Sequence, residues 1–121
     1  MTITSKAITE FARAAESLNE LARSLRDSGV AGVTTGTDAR VYEDGPRLEK
    51  WIEVPTRHEG CFCWWLDLSV EGDEIVVDAN VSNTNSDFAV SIGPRRAASD
   101  FELAAALTEA VGWLRDQPIR D

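Results

Sequence analysis

One histidine and two cysteines, His58, Cys61 and Cys63, spell His-x2-Cys-x-Cys, three soft ligands of the kind that hold zinc. Structural zinc sites normally take four ligands at Cys-x2-Cys type spacings, so this run is one ligand short and wrongly spaced. On a strand, Cys61 and Cys63 point the same way with Cα atoms roughly 6.5 Å apart, at the outer limit for a disulfide. Cysteine also serves as a small buried apolar residue, and that structural reading is preferred to a metal site. Asp67 and Asp78 are the second candidate, because two carboxylates on one face can share a proton or hold a hard cation. Together with His58 they are the material a small-ligand or metal-dependent enzyme would use. A catalytic site also wants further polar groups converging in a cleft, and a flat sheet face encloses little.

The stretch Gly29-Val-Ala-Gly32-Val-Thr-Thr-Gly36 has the glycine density of a phosphate-cradling loop. It follows a helix and precedes a strand, the reverse of the nucleotide-binding order, and has no lysine, so it reads as a helix cap and connector. No Gly-x-Ser-x-Gly elbow, His-Glu-x-x-His or Cys/His nucleophile pattern is present, and a single histidine leaves little material for acid/base chemistry at neutral pH. The composition therefore points away from an enzyme, with no catalytic residues, no metal and no cofactor expected. Trp51 and Trp65 invite a different reading, since tryptophan is costly to leave in water and is enriched where proteins bind one another.

These residues have to be held by something. Ile8, Phe11, Ala15, Leu18, Leu21 and Leu25 recur at three- and four-residue steps before Gly29, which predicts a long N-terminal amphipathic helix. Ser99-Asp100-Phe101-Glu102 is a capping box that opens a second helix, running through Leu103, Leu107, Ala110, Val111 and Leu114 to a stop at Pro118. Between them the period changes to two, and five strands are predicted: Thr37 to Tyr42, Leu48 to Val54, Cys61 to Val70, Glu74 to Ser82 and Asp87 to Ile92. The separators are short: Glu43 to Pro46, Pro55 to Gly60, Glu71 to Asp73 and Asn83 to Ser86. They favour an antiparallel meander, so the fold class is α+β, a five-stranded sheet with an N-terminal and a C-terminal helix on one face. The whole chain, 1 to 121, is expected to form a single domain.

Alternation then sorts side chains by face. Phe62, Trp64, Leu66, Leu68 and Val70 match Ile75, Val77, Ala79 and Val81, and then Phe88, Val90 and Ile92, and this face is expected under both helices. The opposite parity collects Glu49, Trp51, Glu53, Cys61, Cys63, Trp65, Asp67, Ser69, Glu74, Asp78, Asn80, Ser82 and Asp87 on the outer face. Two hairpin registers are open. A Gly72-Asp73 turn sets Asp67 across from Asp78, and a Glu71-Gly72 turn sets it across from Val76.

Charge is distributed unevenly. The chain carries 12 Lys and Arg residues against 21 Asp and Glu, a formal net charge of -9. From His58 to Pro94 the acids Glu59, Asp67, Glu71, Asp73, Glu74, Asp78 and Asp87 meet no lysine or arginine. A field of one sign attracts basic partners and repels phosphate backbones, which speaks against nucleic acid. The chain shows no apolar signal segment or membrane-length run, and two cysteines do not make a disulfide framework, so a cytoplasmic protein is expected.

The function expected from these features is a non-catalytic domain that occupies a basic patch on another protein through its acidic sheet face. Its partner-binding residues would be Trp51, Glu53, Trp65, Asp67, Glu74, Asp78 and Asp87. The concrete version is a bacterial immunity protein that neutralises a toxin with a basic, nucleic-acid-binding active site. The helix, five strands, helix layout resembles several small bacterial chaperone-like and immunity domains, at the level of layout alone. A secretion-chaperone-like dimer binding a client along a strand edge is the first alternative, and the reading accommodates a homodimer. A small-ligand or metal-dependent enzyme using His58, Asp67 and Asp78 is the second.

Overall fold

The computed structural model describes residues 3 to 120. Helix α1 (Ser5–Asp27) starts where the Thr4 hydroxyl accepts the Ala7 N–H at 3.1 Å, and it ends before Gly29, whose φ of 94° an L side chain rarely adopts. Its buried stripe is Ala7, Phe11, Ala14, Ala15, Leu18 and Ala22. That is rotated slightly from the expected one: Ile8 is 50 % exposed, and Leu21 and Leu25 are partly buried. Small alanines bring α1 close to its neighbours, so the helix settles on them and leaves the bulkier Ile8 at its margin.

Six strands follow: β1 (Thr34–Tyr42), β2 (Gly45–Pro55), β3 (Cys61–Glu71), β4 (Glu74–Asn83), β5 (Ala89–Ser91) and β6 (Arg95–Ala97). The sheet runs in the antiparallel order β1-β2-β3-β4-β5, with β6 also paired to β4. The meander is as expected, with three differences. Glu43-Asp44 alone makes the first turn, so Gly45 and Pro46 belong to β2, and β1 begins at Thr34. The fifth strand shrinks to Ala89–Ser91, and Val90, expected in the core, is 42 % exposed. A sixth strand, not anticipated, pairs with Ile75 to Val77 while β5 pairs with Asn80 to Ser82. The two pieces share one edge of β4 because the chain bends between them at Gly93, with φ 90°, and Pro94, which has no N–H to donate.

Helix α2 (Asp100–Arg115) begins at the capping box: Ser99 Oγ accepts the Glu102 N–H at 3.2 Å, and the Glu102 carboxylate accepts the Ala98 N–H at 3.3 Å. It packs on β3, β4 and β6 and on α1, which in turn covers β1 and β2. Both helices thus lie on one face of the sheet. The core between them holds Ile52 and Val54, Phe62, Trp64, Leu66 and Leu68, and Ile75, Val77, Ala79 and Val81, all buried as parity required. Each large apolar side chain there contributes about 1.5–3 kcal/mol by leaving water. Two buried polar side chains share that face: Asn83, whose Nδ2 donates to the Arg120 carbonyl oxygen at 2.7 Å, and Lys50. Lys50 is 2 % exposed, its Nζ donating to Asn19 Oδ1 of α1 at 2.6 Å and to Thr37 Oγ1 of β1 at 3.3 Å. Burial pushes its pKa down, with Glu16 opposing the shift. Among the described residues no helix is long and apolar enough to cross a membrane.

Candidate partner-binding face

The other face of the sheet has no helix over it. Strand register arranges its side chains in rows running across the strands. Gly36, Trp51, Trp65 and Asn80 form the central row. Beside it run Asp38, Glu49, Asp67 and Asp78, and beyond these Arg40, Arg47, Ser69, Val76 and Arg96. On the opposite flank lie Thr34, Glu53, Cys63 and Ser82.

Gly36 explains how the tryptophans sit. A Cβ there would fall 2.2 Å from Trp51 Cζ2, so the indole lies directly over the bare backbone of the edge strand. The two rings meet with centroids 5.4 Å apart, tilted by 32°. They form the floor of an open concavity of about 530 Å³, walled by Arg40, Tyr42, Arg47, Glu49, Glu53, Asp67 and Asn80. Both indoles remain partly exposed.

Between β3 and β4 the turn is Gly72-Asp73, with Gly72 at φ 66°, the position where a two-residue hairpin favours glycine. This settles the register: Asp67 stands directly across from Asp78. Burial pushes the Asp67 carboxyl up to about 6; Arg47 opposes the shift, and the negative charges of Asp78 and Glu49 add to it. Asp78 is anchored instead, its Oδ1 accepting the Ala79 N–H at 2.8 Å and the Ser91 hydroxyl at 2.9 Å. The Tyr42 hydroxyl donates to Glu49 Oε1 at 2.7 Å, which raises the phenol's pKa. Arg47 lies 4.9 Å from the centroid of the Tyr42 ring and reaches Asp44 at 3.4 Å, while its buried Nε finds no acceptor among the described residues.

Of the seven residues expected to bind a partner, Trp51, Glu53, Trp65, Asp67 and Asp78 come together on this face. Glu74 lies at the far end of the hairpin, 3.8 Å from Arg96, which also pairs with Glu71 at 2.7 Å. Asp87 is exposed in the turn before β5, beyond the opposite end of β4. His58 occupies the exposed turn between β2 and β3. Cys61 and Cys63 are free thiols, and Cys63 is buried; burial first, then Glu53 and Cys61, push its pKa up to about 11. A thiol held protonated in this way is a poor nucleophile and a poor metal ligand. Among the described residues no three His, Cys, Asp or Glu side chains converge on a metal position. Tyr42, Arg40 and Arg47 were missed as site residues. Their signal was the parity of the first two strands, which places them on the outer face once the Glu43-Asp44 turn is fixed.

Fold and site together define an α+β domain with one helix-covered sheet face and one open aromatic and carboxylate face. Comparison with protein-family models, curated proteins and solved structures finds no match for this chain.

Proposed function

We propose that this chain is a non-catalytic protein-binding domain that docks a basic partner on the open face of its sheet. The most concrete form is an immunity protein that covers the basic, nucleic-acid-binding site of a toxin. The observation that carries the reading is the Trp51–Trp65 pair, uncovered and flanked by Glu49, Glu53 and Asp67 within one concavity. Large aromatic side chains in such a setting are the usual anchors of protein interfaces, each contributing about 2 kcal/mol or more when buried by a partner. The carboxylates stand where a nucleic-acid-binding surface presents lysine and arginine to phosphates, and they steer such a surface at long range. Arg40, held by Asp38, and Arg47, beside Asp44 and Tyr42, offset part of this negative charge at the rim, and the carboxylates of Glu49, Glu53 and Asp67 remain in excess within the concavity.

The test is capture from a lysate of the source cell on immobilised wild-type protein and on the Trp51→Ala/Trp65→Ala variant. A stoichiometric basic protein retained by the wild type, lost from the variant and released by high salt is the expected result. Retention unchanged by the double substitution, or recovery of a metal or small molecule with no protein, would overturn the reading.

A further inference from the structure

The outermost strand of the sheet is long, open and self-complementary. β1 is the terminal strand of the sheet, and most of its residues from Thr34 to Tyr42 are exposed. Such an edge presents unpaired N–H and C=O groups to any strand that fits it. In an antiparallel pair alternate residues turn these groups away from the neighbour. Ala39 is one of them, and Thr37 and Val41 share its direction; the Ala39 N–H is held by the side chain of Asp38 at 2.9 Å and has to be released from it for a second strand to pair here.

We propose that this edge pairs antiparallel with β1 of a second copy, about a two-fold axis through Ala39. The charges select that register. With Ala39 opposite its own copy, Asp38 lies across from Arg40 of the second copy, and Arg40 from its Asp38, so the pair that Asp38 and Arg40 make within each strand is exchanged for two opposite-charge pairs between copies on the open face. Sliding the strands by two residues either way sets Asp38 or Arg40 against itself, a like-charge contact. A slip of one residue opposes groups that point inward to groups that point outward and forms no ladder.

The same register has a use for the apolar residues left at this edge. Val41 is 84 % exposed on the helix side of β1. Beside it, between α1 and the strand, runs a groove of about 440 Å³ lined by Ile8, Phe11, Ala15, Thr37, Ala39 and Leu48. Pairing sets Val41 of each copy opposite Thr37 of the other, at the mouth of this groove, and covers half-exposed Ile8. On the open face, Tyr42 of each copy comes opposite Gly36 of the other, beside Trp51. The axis is perpendicular to the sheet, so both open faces look the same way and join into one continuous surface. The association does not depend on the function proposed above.

Sedimentation equilibrium from micromolar to millimolar protein tests it, on the wild type, Asp38→Arg, Arg40→Asp and the double exchange. A concentration-dependent dimer is expected, weakened about tenfold or more by either single substitution and restored to within about threefold by both together. In the wild type alone, amide exchange at Thr37, Ala39 and Val41 slows as the dimer forms, a readout that needs no variant to fold. A wild type that stays monomeric throughout overturns the proposal. A dimer indifferent to the single substitutions, or one that the double exchange fails to restore, does the same.

Discussion

Asp67 holds a proton to about pH 6 because its carboxylate must be charged in a partly buried position beside Asp78 and Glu49. An unfolded aspartate releases that proton near the ordinary value of 3.8. Between about pH 4 and 6 the folded chain therefore binds more protons here than the unfolded chain. The contribution of this group to stability is full at the acid end and is lost as pH rises through 6. Asp67→Asn is expected to raise stability by about 1–3 kcal/mol at pH 7.5 and by little at pH 4, measured by urea unfolding at both values. An equal gain at both pH values would contradict the account. The same substitution should weaken partner binding, so Asp67 trades stability for charge at the open face. At this scale the sequence was partly legible. The strict alternation of the third strand placed Trp65 and Asp67 on one face, but two two-residue turns were open, and only the structure, with its Gly72-Asp73 turn, sets Asp78 and not Val76 opposite Asp67. Lys50 was not legible, because a lysine at a core parity position makes sense only once Asn19, far away in the chain, is seen to meet it.

Elements position these residues through two contacts that alternation alone does not reveal. The first is the bare backbone of β1 under Trp51. Gly36→Ala should push the indole off the strand, costing about 1–3 kcal/mol and shifting the tryptophan emission, as read by thermal unfolding and fluorescence. Unchanged emission would show that the ring does not rest there. The second is the bridge from α1 to β2 through Asn19 and Lys50. Asn19→Ala leaves a buried ammonium short of an acceptor and is expected to cost about 1–3 kcal/mol, while Lys50→Met should cost less, because it removes the charge itself. Denaturant midpoints of the two variants check the order. The start of α2 was readable from short-range chemistry, Ser99 with Glu102, whereas the Thr4 cap of α1 was not singled out. β6 was not: three residues after a proline, two of them arginine, carry no alternation, and only the open edge of β4 makes them a strand.

For the molecule as a whole, the charge gap from His58 to Pro94 translated into a surface only in part. Arg96, from outside that segment, returns to neutralise Glu71 and Glu74 at one end of the sheet, and Arg40 and Arg47 border the carboxylates at the other. What survives is a narrower acidic zone around Trp51 and Trp65. Linear charge counting could not show this, because it is blind to which strands become neighbours. A zone of this size should act mainly on encounter, steering a basic partner across distances comparable to the screening length of about 8 Å at 0.15 M salt. The most direct test is the association rate of the captured partner as ionic strength rises, for the wild type and for Asp67→Asn/Asp78→Asn. The rate should fall about tenfold between roughly 0.05 and 0.5 M salt for the wild type, with a clearly shallower slope for the variant. A rate indifferent to salt, or slopes that coincide for the two proteins, would contradict an acidic docking face.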